Sequence, residues 1–253
     1  MKAAIQIKKG QIIRLGENYL ACGDARDTNL VNRLLGNTKI DLLLSDIPYG
    51  VAYVEGKRGF SKLAKPEAIA GDHIQTDEEY RAFTASWLTA TAPHLAKPNT
   101  AYIFTGDKML FALREGMLEA GFKLAQVLIW VKQQPVLGRM DYQPQHELIA
   151  YGWHGTHRFH KAKDRSVLFH PRPQRSPHHP TQKPIGLLRH LILNNTKIGG
   201  TVYDPFSGSG SSLLAAHQTK RRCYAIELEP KHCRTIIARY EKLTGQKAEL
   251  LHG

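Results

Sequence analysis

The chain has 253 residues, of which 42% are hydrophobic, and this is enough for one large α/β domain or for a core domain with an insertion. Its formal net charge of +13 indicates a polyanionic partner, most simply nucleic acid, unless the surface is merely basic. No apolar run approaches the ~20 residues of a membrane helix, and the first residues lack the apolar core of a signal peptide. The three scattered cysteines offer neither a disulfide framework nor a CxxC zinc site, so we expect a cytoplasmic protein that binds no membrane.

Apolar runs alternate with apolar residues at helical spacing along most of the chain. The runs predict strands at Asn18–Cys22, Ile40–Ser45, Ala101–Phe104, Gln126–Lys132, Glu147–Tyr151, Thr201–Tyr203 and Arg222–Ile226. Helices are predicted after the turn at Asp24, after an N-cap at Asp77, and over Lys108–Ala120, Ile185–Leu193, Ser211–Gln218 and Pro230–Leu243. This alternation is typical of a doubly wound, largely parallel sheet, so we predict a single α/β domain over residues 1–253.

Two predicted strands end in polar motifs, and ligands of open α/β sheets collect at the carboxyl ends of strands. The run Ile40–Ser45 stops at Asp46-Ile47-Pro48-Tyr49. The run Thr201–Tyr203 leads into a glycine-rich turn and a helix, and the strand after that helix ends at Glu227. Such a unit predicts a nucleoside ligand, because glycines let the backbone approach it and a later acid accepts hydrogen bonds from ribose hydroxyls. A dinucleotide is disfavoured, because Leu213 occupies the third glycine position.

Three segments together resemble the amino-specific DNA methyltransferases. They are Asp46–Tyr49, the segment His179–Pro184 (HPTQKP) and Asp204–Phe206 before the glycines. The order of the motifs is similar to that of the β subgroup, and the stretch Gly50–Asp72 resembles methylases of phages and prophages. The resemblance implies a Rossmann-like, S-adenosylmethionine-dependent methyltransferase fold that acts on double-stranded DNA.

The resemblance also implies a cofactor site in the glycine-rich turn. Phe206, Gly208 and Gly210 would line the methionine end of S-adenosylmethionine, and Asp204 would lie near its amino group. Glu227 would hold the ribose hydroxyls.

Three further residues would complete that site by the same resemblance. Asp24 matches an acid near the adenine amine of the cofactor, while Thr181 and Lys183 belong to a segment that packs over the cofactor. The simpler interpretations are a helix cap for Asp24 and a surface lysine for Lys183.

The strand end at Asp46 suits methylation of a base amine. Such an amine is a poor nucleophile, because its lone pair is delocalised into the ring. We predict that Asp46, Ile47, Pro48 and Tyr49 form the catalytic motif. The Asp46 carboxylate and the Ile47 carbonyl would accept the two hydrogens of the amine, and Tyr49 would stack on a flipped base. Members of the family with Asp in the first position mostly methylate adenine N6, and Ser there suggests cytosine N4, so the resemblance favours adenine. Ser45 lies one place too early if Tyr49 sets the register. Ile47 departs from the family, where a second proline would stiffen the loop.

Two basic regions are predicted to contact DNA: a mobile loop at residues 51–74 and an inserted target-recognition region at residues 133–180. Interleaved Trp153, Phe159 and Phe169 could stack on bases, although an ordinary solvated loop and insertion would have similar composition. The predicted DNA-binding residues are Lys57, Arg58, Arg139, Arg158, Lys161, Arg172 and Arg175.

Other functions fit the sequence less well. The histidines of this region, His154, His157 and His160 above all, favour phosphate or loop contacts over a metal site, and we predict no metal. Methylation of cytosine C5 would need a Pro-Cys nucleophile, which the chain lacks. A nucleotide-dependent oxidoreductase, an inactive DNA-binding protein, and an RNA or protein-glutamine N-methyltransferase stay open as alternatives.

Overall fold

The computed structural model describes residues 6–48, 76–135, 141–161, 163–171 and 183–252. In this part of the chain, ten strands form one sheet with helices on both faces. The strands are β1 (Ile12–Leu15), β2 (Asn18–Cys22), β3 (Ile40–Asp46), β4 (Leu95–Thr105), β5 (Phe122–Val131), β6 (His146–His154), β7 (Val167–Phe169), β8 (Thr201–Asp204), β9 (Arg222–Glu227) and β10 (Glu249–His252). The helices are α1 (Thr28–Leu35), α2 (Asp77–Thr91), α3 (Leu110–Glu119), α4 (Ile185–Asn195), α5 (Ser211–Gln218) and α6 (Pro230–Thr244), with a 3₁₀ turn at Ala92–His94.

The strand order is β10-β1-β2-β9-β8-β3-β4-β6-β5-β7. The central strands β2, β9, β8, β3 and β4 are parallel, which confirms the predicted Rossmann-like α/β fold. The chain winds outward from β3 to β4 on one side and from β8 to β9 on the other, so the order reverses between β3 and β8. Open α/β sheets bind ligands beside this switch point, at the carboxyl ends of the strands.

Burial on both faces of the sheet explains why the central strands are continuous apolar runs. Leu42 and Leu44 belong to the core on the face of α4, α5 and α6, whereas Leu43 belongs to the core on the face of α1, α2 and α3. Each is essentially inaccessible to water. Burying a leucine side chain stabilises the fold by about 1.5–3 kcal/mol, so both faces contribute to holding β3 in place.

Several predicted boundaries differ from the structure. The N-cap of α2 is Thr76 and not Asp77, because Thr76 forms a capping box with Glu79 (Glu79 N to Thr76 Oγ1, 3.2 Å; Thr76 N to Glu79 Oε2, 2.9 Å). Asp77 lies in the first turn, where its charge favours the helix dipole. The sequence analysis missed the short strands β1, β7 and β10. It also expected β5 and β6 to continue the parallel alternation, whereas β6 is antiparallel to both β4 and β5.

The predicted recognition region of residues 133–180 contains two strands of the sheet. β6 lies between β4 and β5, and β7 is the outermost strand, beyond β5. The region therefore divides into sheet strands and connecting segments, and its role in target recognition stays a prediction. The predicted loop of residues 51–74 lies outside the described residues. Among those that are described, no helix is long and apolar enough to cross a membrane.

Candidate active site

Acidic residues follow four neighbouring parallel strands at one edge of the sheet. Asp46 ends β3, Asp204 ends β8, Glu227 ends β9, and Asp24 follows β2. The strand registers align these ends, since Cys22 of β2 pairs with Glu227 and Asp204 pairs with Ala225. Neighbouring strands lie about 4.8 Å apart, so the four acids line a single edge about 15 Å long. We call it the catalytic edge.

Asp204 is the most deeply buried of these acids, with 1% of its surface exposed. Its carboxylate accepts hydrogen bonds from the Phe206 amide (3.1 Å) and from the Ser212 hydroxyl. Burial, aided by the negative charges of Asp46 and Glu227, raises the pKa of Asp204 to about 7. A carboxylate that is costly to ionise in the free protein gains most from a cationic ligand.

The glycine-rich turn between β8 and α5 brings its backbone to Glu227. Gly208 and Gly210 have φ angles of 52° and 78°, which favour glycine. The Gly208 amide donates to Glu227 Oε2 (2.7 Å), and the Glu229 amide donates to Oε1 (2.9 Å). These two bonds fix the orientation of the carboxylate that is predicted to bind ribose.

Phe206 forms an aromatic cluster with α2. Its ring centroid lies 5.6 Å from that of Phe83 and 5.4 Å from that of Trp87, and the Trp87 contact is edge-on. Trp87 is fully buried. Phe83 is half-buried, so its ring also contributes to the wall beside the glycine-rich turn.

Asp24 does not cap α1, so the simpler interpretation of this residue is wrong. Asp27 is the cap, and its side chain accepts from the Asn29 and Leu30 amides at 3.0 and 3.3 Å. Asp24 instead pairs with Arg26 (Nη2 to Oδ2, 2.7 Å), whose hydrogen bonds lower the pKa of the carboxyl. The Arg26 guanidinium lies 5.9 Å from the Phe83 ring, and sequence reasoning did not single it out.

Lys183 is buried, which rules out the interpretation as a surface lysine. Its side chain is 5% exposed, and its ammonium lies 2.6 Å from Asp46 Oδ1 and 3.3 Å from Glu147 Oε2. Glu147 in turn pairs with Lys132 at 2.8 Å. Sequence reasoning missed both Glu147 and Lys132 as site residues, because they reach Asp46 only through the antiparallel placement of β6 between β4 and β5.

Ile47 is 2% exposed and belongs to the core cluster beneath α1, α2 and α3. The sequence analysis expected a less rigid turn here, because the family usually has proline. Burial of the isoleucine side chain anchors the backbone by packing instead. Pro48 is partly exposed, whereas Tyr49 and Thr181 lie outside the described residues.

This anchoring is measurable. Ile47→Ala is expected to lower the free energy of unfolding by about 2–4 kcal/mol, because it removes a buried side chain and leaves a cavity, whereas Ile47→Val should cost about 1 kcal/mol. Chemical denaturation of the three proteins measures the difference. An alanine variant as stable as the wild type would show that packing at Ile47 does not hold the turn.

Two predicted DNA-binding residues lie at the opposite edge of the sheet. β6 is antiparallel to β4: Leu148 is opposite Thr105 at the end of β4, and Gly152 is opposite Ala101 further back, so the segment after His154 leaves at the far edge. There the Arg158 carbonyl accepts a hydrogen bond from the Asn195 side chain (3.1 Å). The His160 amide donates to the Asn194 carbonyl of α4 (2.8 Å), and Lys161 is the next residue along the chain. The structure therefore does not bring these two residues to Asp46. The other five predicted residues, Lys57, Arg58, Arg139, Arg172 and Arg175, lie outside the described residues.

The predicted aromatic and histidine residues also divide between the two edges. At the far edge, Trp153 stacks on His157 with centroids 3.7 Å apart, and Lys123 lies 5.3 Å from the Trp153 ring. Phe169 ends β7 beside Val131, hence at the catalytic edge, and is 74% exposed. Among the residues that the structure describes, no group of three or more metal-ligating side chains is found.

Comparison with known proteins agrees with this geometry. The N6/N4 methyltransferase family model, described as DNA methylase, matches residues 40–239. The type II methyltransferase M2.DpnII of Streptococcus pneumoniae is 24% identical over 222 residues, with 80% of this chain and 82% of that protein covered. The type II methyltransferase M2.MboI of Moraxella bovis is 24% identical over 237 residues, with 82% of this chain and 83% of that protein covered.

Solved structures share the fold. The complex of M1.HpyAVI with S-adenosylmethionine has a TM-score of 0.64 at 23% identity and covers 87% of this chain and 98% of that one. The cytosine-N4-specific PvuII DNA methyltransferase has a TM-score of 0.68 at 15% identity and covers 90% of each chain. The likeness to the β subgroup and to phage methylases stays a prediction. Because the family model spans β3 to α6 and so includes Asp46, Lys183 and the glycine-rich turn, this chain belongs to the DNA methylase family of N6/N4 methyltransferases.

Proposed function

We propose that this DNA methyltransferase transfers a methyl group from S-adenosylmethionine to the N6 amine of an adenine flipped out of double-stranded DNA. The observation that carries the proposal is the position of Asp46 at the switch point, beside the acids and glycines of β8 and β9. A base-amine acceptor and a nucleoside pocket therefore share the catalytic edge.

The residues of the pocket fit S-adenosylmethionine. This cofactor is cationic, and Asp204 and Glu227 bring two carboxyl groups to the place where it would bind. The Ser207 hydroxyl in the glycine-rich turn is buried and has no hydrogen-bond partner among the described residues, so a ligand could supply one. When bound, the cofactor supplies a methyl group on a sulfonium, which is an excellent leaving group.

Asp46 at the end of β3 and the residues that follow it would prepare the amine. The Asp46 carboxylate and the Ile47 carbonyl accept its two hydrogens, draw them out of the ring plane and restore the nitrogen lone pair. Tyr49 would stack on the base. Because the leaving group is already good, the main contributions of the protein are alignment of the amine with the methyl and fixed electrostatics. The amine cannot reach Asp46 from within a stacked duplex, so the base must flip.

Adenine N6 is proposed over cytosine N4 because an aspartate occupies the first position of the motif. Cytosine N4 is the second candidate, since the N4-specific PvuII enzyme has the same fold and the fold therefore does not discriminate. Incubation with tritiated S-adenosylmethionine and unmethylated genomic DNA, followed by digestion to nucleosides, tests the proposal. Label in deoxyadenosine above an Asp46→Ala control supports it. Label in deoxycytidine would reject the adenine assignment, and no label would reject methyl transfer to DNA.

Arg172 and Arg175 are predicted from the sequence to contact DNA. Affinity is then expected to fall steeply with salt, and Arg172→Ala with Arg175→Ala should lessen the slope of log K against log salt by roughly 1–2 through lost counterion release. Arg158→Ala is the matched control at the far edge and should leave the slope unchanged. Fluorescence anisotropy over a salt series measures this, and equal slopes in all three proteins would place the DNA elsewhere.

A further inference from the structure

Four side chains of alternating charge form a row along the catalytic edge: Asp46, Lys183, Glu147 and Lys132. Lys183 contacts Asp46 at 2.6 Å and Glu147 at 3.3 Å, and Lys132 contacts Glu147 at 2.8 Å. We call these residues the charge row. It contains two carboxylates and two ammonium groups, so its charges balance.

The sheet register explains how the charge row forms. Asp46 of β3 is opposite Phe104 of β4, Phe104 is opposite Ile149 of β6, and Glu147 lies two residues before Ile149 on the same face. The Lys183 ammonium lies 5.2 Å from the Phe104 ring centroid. Lys183 therefore crosses over β4, the strand that separates the two carboxylates, and joins β3 to β6.

Burial makes the charge row a fixed arrangement. The Lys183 and Lys132 side chains are 5% and 7% exposed, whereas Asp46 keeps 27% of its side-chain surface accessible. Burial alone would lower the pKa of Lys183, but Asp46 and Glu147 more than offset this, and the pKa is raised. A buried ammonium is strongly destabilised if either carboxylate partner moves away, so Lys183 opposes rotation of Asp46 out of this contact.

We propose that Lys183 is a positioning residue for methyl transfer, which holds the Asp46 carboxylate in the orientation that accepts the target amine, while Glu147 and Lys132 hold Lys183. The inference rests on the proposed function, because it assumes that Asp46 accepts that amine. A carboxylate offers about four lone-pair sites on two oxygens, so Asp46 can accept from Lys183 and from the amine together. Lys183 acts in this account on Asp46, in place of the expected packing over the cofactor.

The first test replaces the ammonium. Lys183→Ala is expected to lower the single-turnover rate of methyl transfer about 10- to 100-fold, because Asp46 is no longer held, while affinity for S-adenosylmethionine changes little. Added ethylammonium should restore part of the rate, and tetramethylammonium, which has no N–H donor, should not. Lys247→Ala is the matched control, because Lys247 pairs with Glu241 at the surface and is 84% exposed.

A pH profile gives a second readout that a merely structural lysine would not move. Lys183 contacts Asp46 at 2.6 Å, and the negative charges of Asp46 and Asp204 act on each other, so removal of Lys183 takes a positive charge away from Asp46. The acid limb of the rate, measured with both substrates saturating, should therefore move to higher pH in Lys183→Ala. In Glu147→Gln the rate should fall severalfold. The acid limb should not move to higher pH, because this variant removes a negative charge and leaves Lys183 in place. Glu147→Gln replaces Lys183→Ala as the test if Lys183→Ala does not fold.

The outcomes separate the inference from the proposed function. No methyl transfer by the wild type would overturn both. Transfer by the wild type together with an unchanged rate and acid limb in folded Lys183→Ala would overturn the inference alone. Where that variant does not fold, an unchanged rate in Glu147→Gln would overturn it. A lost affinity for S-adenosylmethionine with a normal rate at saturation would also overturn it, since Lys183 would then act on the cofactor. Loss of rate with retained affinity and rescue by ethylammonium supports it.

Discussion

Replacing Asp46 with asparagine is expected to lower the rate of methyl transfer about 100- to 1,000-fold, the range for removal of one preorganised group that stabilises a transition state. The amide oxygen can still accept one hydrogen bond, but the negative charge that matches the developing positive charge on the amine is gone. Asp46 also pairs with Lys183 at 2.6 Å, so the neutral side chain weakens the charge row. Both effects act in the same direction.

The affinity for S-adenosylmethionine should hardly change in Asp46→Asn, because the glycine-rich turn and Glu227 are untouched. Single-turnover transfer of tritium and equilibrium binding measure the two quantities separately. A variant that keeps more than about a tenth of the wild-type rate would show that Asp46 is not the principal acceptor of the amine.

The second large effect concerns Asp204. Its pKa is raised from 3.8 to about 7 in the folded protein. Between these values the folded chain holds a proton that the unfolded chain has lost, so the contribution of this group to the free energy of unfolding falls as pH rises from about 4 to 7. The fall is on the order of a few kcal/mol and levels off above pH 7. Asp204→Asn should therefore be more stable than the wild type at pH 8 without cofactor, and less dependent on pH.

Bound cofactor should reverse this order of stability between the wild type and Asp204→Asn. Binding of a cation favours the ionised carboxylate, so the affinity of the wild type for S-adenosylmethionine should rise from pH 5.5 to 7.5. Asp204→Asn should bind about 30- to 300-fold more weakly and with little pH dependence, because a buried charge partner is removed. Thermal melts and isothermal titration at several pH values measure both properties. Asp141→Asn, at an exposed position, is the matched control.

A wild-type affinity that stays constant over this range would contradict the placement of the cofactor beside Asp204. An Asp204→Asn variant that is less stable than the wild type at pH 8 would contradict the raised pKa of Asp204, since the fold would then stabilise the ionised carboxylate.

The acids of the catalytic edge could be predicted because their signal is local. A strand buried on both faces is a continuous apolar run, and the run ends where the chain leaves the core. Asp46, Asp204 and Glu227 each follow such a run, and parallel strands bring their carboxyl ends to one edge. The glycine-rich turn could be predicted for a similar reason, because the strand, the glycines and the helix follow one another directly in the sequence.

The charge row could not be predicted, because it depends on contacts between distant strands. Glu147 begins one predicted strand and Lys132 ends another, and neither position is unusual in the sequence. Only the insertion of an antiparallel β6 between β4 and β5 places Glu147 within reach of Lys183. The same non-local pairing moves Arg158 to the far edge, although its surroundings in the sequence are as basic as those of Arg172.

The anchoring of Ile47 is a further case of tertiary structure overriding a local expectation. Proline would stiffen the turn through its own ring, whereas isoleucine depends on the core beneath it. Its burial is decided by α1, α2 and α3, which lie elsewhere in the chain. Core packing of an isoleucine side chain and the ring of a proline can therefore each fix the backbone carbonyl at this position.

The most direct test of the central claim follows a methyl group to its nitrogen. The protein is incubated with S-adenosylmethionine that carries a trideuterated methyl group and with DNA that carries nitrogen-15 at adenine N6, and the nucleosides are analysed by mass spectrometry. The account predicts deoxyadenosine that contains both labels, with the deuterated methyl on the labelled nitrogen, and far less of it from Asp46→Asn. Deuterated methyl on deoxycytidine, or on no nucleoside, would contradict it.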